Sequence, residues 1–202
     1  MPALSYRPAA AAGVLSHLAA RVLALLGWRI VATGPVPAKC VLVFYPHTSN
    51  WDFVIGLLAK WALELPARWV AKDTLFRWPV AGILRYWGGI PVNRREPAGF
   101  AERLTEEFDR APGLCLAITP EGTRSRTDGW KSGFYRIALA ARVPVVLSFI
   151  DYPRREIGYG DTFALSGDVA ADMARIAGFY ADKTGHRPAN QGSVRLRGGI
   201  AE

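Results

Sequence analysis

Cysteine is scarce in this chain: only Cys40 and Cys115 occur among 202 residues. Two thiols exclude the dense disulfide framework of small secreted scaffolds. Both fall inside apolar runs, which predicts reduced core thiols in a cytosolic setting. Histidine occurs three times, and no cysteine–histidine pair has metal-ligand spacing, so no metal site is expected. Basic residues never stand more than two in a row, which argues against a nucleic-acid-binding arm. No internal repeat and no long linker divides the chain. An uninterrupted membrane span is also missing. The most apolar stretch, 10–30, is broken by His17, Arg21 and Arg29, and a charge near its middle is costly in a spanning helix. The same basic residues lie within and after the apolar part, a poor pattern for a signal peptide.

What is present is a folding sequence. Half of the residues are hydrophobic, and the length suits one domain with a full core. The formal net charge is +8, and arginine supplies most of the basic residues. The planar guanidinium fork suits phosphate, although genome composition accounts for arginine enrichment equally well. A diffuse positive field fits an anionic membrane surface or an acidic carrier better than it fits a nucleic acid.

The stretch His47-Thr48-Ser49-Asn50-Trp51-Asp52 organises the chain. The apolar run 40–45 before it predicts a buried strand, and the run 53–65 after it predicts a helix. In one continuous helix, side chains five residues apart point roughly 140° away from each other. His47 and Asp52 therefore meet only across a turn, and Ser49 or Asn50 is suited to cap the helix that follows. A carboxylate touching one imidazole nitrogen fixes the tautomer and leaves the other nitrogen as a base. The hexapeptide alone reads equally well as a strand end followed by an aspartate favoured at a helix N-terminus.

A second signal, Pro120-Glu121-Gly122-Thr123-Arg124-Ser125, follows the apolar run 114–119. In open α/β sheets, ligands bind at strand carboxyl ends. Two further segments accompany these: Gly89-Ile90-Pro91-Val92-Asn93-Arg94 and Val143-Pro144-Val145-Val146. Together, and in this order, the four blocks resemble the glycerolipid acyltransferases of the lysophosphatidate acyltransferase (PlsC-like) family over residues 40–150. The third block matches that family letter for letter. The fourth departs from it at Leu147, where a second proline often stands.

The resemblance implies transfer of a fatty acyl chain from an acyl thioester to the hydroxyl of a lysophospholipid such as 1-acyl-glycerol-3-phosphate. The donor would be acyl-CoA or acyl carrier protein, with no further cofactor. His47 would be the general base and Asp52 its orienting partner. Arg94, Glu121, Gly122, Thr123 and Arg124 would bind the acceptor, with Arg94 and Arg124 on its phosphate. Lys131 and Arg95 read more simply as solvated side chains, and His17 and His186 as surface histidines. Another lyso-lipid, such as a lyso-ornithine lipid, is an alternative acceptor. A non-enzymatic anionic-lipid binder and a hydrolase are alternative classes.

The remaining pattern predicts a mostly parallel sheet flanked by helices. Residues 1–33 read as a membrane-associating N-terminal segment, whose helix over 10–30 lies on the bilayer with Trp28 at headgroup level. Residues 34–202 read as the acyltransferase domain. The expected location is the cytoplasmic face of the cell membrane, peripheral or monotopic. Further helices are expected at 73–87, 97–111, 133–142 and 168–183, with a strand near 154–165 and a loose tail from Arg187. Trp61, Trp69, Trp78 and Trp87 suit a membrane interface and a core equally.

Overall fold

The computed structural model describes residues 13–92 and 99–198. Seven strands form one sheet: β1 (Arg29–Ala32), β2 (Lys39–Tyr45), β3 (Ala67–Lys72), β4 (Gly89–Val92), β5 (Leu114–Ile118), β6 (Val145–Asp151) and β7 (Glu156–Phe163). Their spatial order is β1-β7-β6-β2-β5-β3-β4. Every neighbouring pair is parallel except β6 and β7, which run antiparallel. The expected mostly parallel α/β sheet is therefore the observed one.

The central strands are unbroken apolar runs because helices cover both faces. Cys40, Val41 and Val43 of β2 are fully buried, as are Cys115 and Leu116 of β5. Burying one such valine or leucine side chain contributes about 1.5–3 kcal/mol. One face packs on α4 (Phe100–Arg110), α5 (Gly133–Ala140) and α6 (Val169–Tyr180), through Leu104, Phe108, Phe134, Ile137 and Ile176. The helix α6 is capped by Asp168, whose carboxylate accepts from the N–H groups of Ala170 and Ala171. On the other face, α1 (Val14–Leu25) and α2 (Trp51–Ala62) pack through Ala19, Leu23, Ile55 and Ala59. Cys40 and Cys115 are register partners across β2 and β5, and both are free thiols. The hydrogen-bonded thiol of Cys115, and then burial, drive the Cys40 pKa far upward, so it stays protonated.

Four sequence expectations change, the first being that Trp28, expected at headgroup level, is instead buried in the core against Tyr152. The helix expected over 10–30 ends at Leu25, and Arg29–Ala32 instead forms β1, paired with β7. Gly27, with φ +77, supports the break: its left-handed backbone disfavours other residues. The helical segment expected over 73–87, with Pro79 kinking or starting it, divides into a single 3₁₀ turn, Asp73–Leu75, and the short α3 (Ala81–Tyr86), which begins just after Pro79. The tail from Arg187 is not loose: Gly192 is buried, and residues 187–197 make backbone contacts across the domain. The four tryptophans divide. Trp61 and Trp87 pack edge to face at 5.6 Å, Trp69 packs on Phe53 at 4.7 Å, and Trp78 is 92% exposed.

Candidate active site

Parallel pairing brings the carboxyl ends of β5, β2 and β6 side by side in the middle of the sheet. His47 follows β2, Glu121 follows β5, and Tyr152 follows β6. This is the edge where open α/β sheets bind ligands.

The turn between His47 and α2 is built by Asp52. Its Oδ2 accepts from the backbone N–H groups of Thr48 at 2.7 Å and Ser49 at 2.8 Å. The carboxylate thus bends the chain back on itself and occupies the first turn of α2, where a negative charge is favoured. Asn50 sits at the cap position without a side-chain cap, while Ser49 Oγ accepts from the N–H of Trp51 at 3.2 Å. The turn places Asp52 Oδ2 3.2 Å from His47 Nδ1. At this separation the two groups are in ion-pair contact, and contacts of this kind commonly tighten when a ligand binds. Asp52 is fully buried, whereas the His47 side chain keeps 14% of its surface exposed, so the imidazole is within reach of a ligand.

Both oxygens of Asp52 are engaged, because the Tyr152 hydroxyl donates to Oδ1 at 2.7 Å. Burial alone would raise the Asp52 pKa. The adjacent His47 ring, the Tyr152 hydroxyl and the Ser49 N–H outweigh it, and the carboxyl is held below its ordinary value. Asp52 is therefore ionised at neutral pH. The same contact pushes the Tyr152 pKa upward, after burial, so the phenol keeps its proton and remains a donor.

Glu121 approaches from the β5 side. Its Oε2 accepts from the backbone N–H of His47 at 2.7 Å. It is 1% exposed, and burial pushes its pKa up to about 7. The N–H donors of His47 and Gly192 act in the opposite direction, and the Asp52 charge adds to the rise. In this structure Glu121 holds the His47 backbone rather than facing open solvent. Gly122 adopts φ +66, and a Cβ there would lie 3.1 Å from the Lys131 side chain, so glycine serves both the turn and the close approach. Thr123 and Arg124 are exposed. The Thr123 hydroxyl accepts from the N–H of Ser125 at 3.3 Å. Arg94 and Arg95 lie outside the described residues.

The C-terminal tail closes one side of the site. The N–H of Arg187 donates to Thr48 Oγ1 at 3.1 Å, and the Tyr45 hydroxyl donates to the Gly192 carbonyl at 2.8 Å. Gly185 sits so tightly on Thr48 that a Cβ would lie 2.7 Å from its hydroxyl. Sequence reasoning missed Tyr152, Thr48 and this tail. The available signal for Tyr152 was its place directly after a buried strand.

The Acyltransferase family matches residues 29–150. That span covers the strand ends carrying His47 and Glu121 and stops just before Tyr152. No curated protein matches the chain significantly. Among solved structures, the chain is similar to PlsC, the 1-acyl-sn-glycerophosphate (LPA) acyltransferase of Thermotoga maritima. The TM-score is 0.54 at 20% identity, covering 76% of this chain and 70% of that one. With the family match spanning well over half of its length, this chain belongs to the Acyltransferase family and shares the fold of PlsC.

Proposed function

We propose that the protein transfers a fatty acyl chain from an acyl thioester, carried on coenzyme A or acyl carrier protein, to the hydroxyl of a lysophospholipid such as 1-acyl-glycerol-3-phosphate. The observation that carries this reading is the His47–Asp52 pair at the central strand end. Asp52 faces Nδ1, which leaves Nε2 as the base for the acceptor hydroxyl. The deprotonated oxygen attacks the thioester carbonyl, and the thiolate leaves. Cys115 is buried within β5, so no enzyme thiol takes part. Arg124, at the rim of the same edge, and Arg94 supply guanidinium groups to the acceptor phosphate, with Gly122 and Thr123 lining the approach.

The acceptor and the donor's acyl chain call for a lipid surface. Val14, Leu15, Leu18, Leu25 and Leu26 are exposed on and just after α1, and Trp51 and Val54 on the neighbouring α2. Arg21 and Arg29 are exposed nearby in sequence. Among the described residues, no helix is long and apolar enough to cross a membrane. We read this face as lying on an anionic bilayer, at the cytoplasmic side where acyl thioesters are found.

The test is to incubate the purified protein with an acyl thioester and a panel of lyso-lipids and to identify products by mass. Acylated lysophosphatidate as the main product supports the reading. Acylation of a different lyso-lipid alone would redirect the acceptor assignment. Release of free fatty acid without acceptor would favour a hydrolase.

A further inference from the structure

Tyr152 belongs to none of the sequence blocks and lies beyond the family match, yet it touches the centre of the site. Its hydroxyl donates to Asp52 Oδ1 at 2.7 Å, opposite the oxygen that faces His47. The ring is held on two sides. Trp28 packs edge to face at 5.0 Å, and His186 from the C-terminal tail packs at 4.8 Å. The backbone is fixed as well, since the N–H of Tyr152 donates to the Thr184 carbonyl at 3.0 Å. A phenol clamped in this way has little freedom to leave Asp52.

We propose that Tyr152 is a positioning residue for acyl transfer, its hydroxyl locking the Asp52 carboxylate so that Oδ2 presents to His47 Nδ1 and selects one imidazole tautomer. The two backbone donors, Thr48 and Ser49, both reach Oδ2, so they leave rotation about the carboxylate axis open. Tyr152 closes that rotation from the other oxygen. It acts through Asp52 and touches no reacting atom. The inference rests on His47 acting as the base.

The test is Tyr152→Phe, which keeps the ring and its contacts with Trp28 and His186 and removes only the hydroxyl. Turnover should fall by about tenfold, the scale of one hydrogen bond to a charged group. The Michaelis constants for donor and acceptor should stay unchanged. In an Asp52→Asn background the same replacement should cost less than about twofold, because the two residues act on one path. Ring nitrogen-15 spectra of the intact protein give a readout independent of acyl transfer. Wild type should show His47 with Nδ1 protonated, and Tyr152→Phe should show both tautomers. An unchanged His47 spectrum, or an equal loss in both backgrounds, would overturn the proposal. A changed spectrum in a protein that transfers no acyl group would keep the Tyr152 assignment and reject the acyltransferase reading instead.

Discussion

The turn after β2 and the loop after β5 each carry one buried carboxylate, and the two are tuned in opposite directions. Asp52 collects two backbone N–H donors, a phenol and an imidazole, and stays ionised despite full burial. Glu121 collects two backbone donors but lies beside the Asp52 charge, and burial wins. Its pKa near 7 leaves it divided between charged and neutral forms at neutral pH. The number and kind of donors decide the outcome, since both residues are about equally buried. Beyond Glu121 the contrast continues: Thr123 and Arg124 are exposed, whereas Thr48 and Ser49 are sealed in. The His47 side of the site is built in advance, and the Thr123–Arg124 side is left open, which suits the proposed roles of base and acceptor binder.

The largest way to break this contrast is Asp52→Asn. An amide offers a weaker acceptor to Thr48 and Ser49 and can set the wrong imidazole tautomer. Turnover should fall by about 10² or more, and melting should drop because hydrogen bonds to a charged group contribute about 1.5–3 kcal/mol each. A change in substrate affinity alone would remove Asp52 from its orienting role.

Glu121 sharpens the contrast through pH. Its folded pKa lies above the ordinary 4.5, so its stabilising contribution is complete below about 4.5 and is lost as pH rises through about 7. The difference amounts to roughly 3 kcal/mol. Denaturant titrations of Glu121→Gln against wild type should show this loss only in wild type. Parallel pH profiles would mean that Glu121 is not raised.

Arg124→Ala should act on the open side alone. The Michaelis constant for a phosphorylated acceptor should rise about tenfold, as for one charge-assisted contact, with the melting temperature unchanged. Lysine should restore part of it, since a point charge cannot reproduce the planar fork. A rise confined to the acyl thioester would move this arginine onto the donor's phosphates.

The smallest effect concerns the proposed membrane face. Deleting residues 1–30 would remove Ala19 and Leu23 from the core and truncate β1, so it would confuse binding with unfolding. Leu18→Glu with Leu25→Glu changes only exposed positions. Sedimentation with anionic vesicles should weaken, and salt should weaken it further. Unaltered sedimentation would shift attention to Leu75, Trp78, Ile83 and Tyr86, which are also exposed.

The His47–Asp52 turn was largely legible in the sequence because its determinants are local. An apolar run marks β2, and the four residues between His47 and Asp52 can only be a turn if the two are to meet. The parallel sheet followed from alternating strands and helices. What stayed hidden depends on long-range packing. Tyr152 reaches Asp52 from 100 positions away, and the tail reaches Tyr45 from 147. Neither spacing leaves a periodic trace. The N-terminal helix was overextended because β1 is only four residues long, and its apolar residues continue the helical pattern. The tryptophans were ambiguous for a physical reason: apolar aromatic surface serves a core and a headgroup layer equally.

The central claim is that His47, aimed by a buried and ionised Asp52, is the base for acyl transfer. His47→Ala tests it most directly, with acylated product measured by mass and folding checked by thermal melting. The expected result is a loss of about 10²–10⁴ in turnover with a near-wild-type melting temperature. Near-normal turnover in a folded His47→Ala protein would contradict the account.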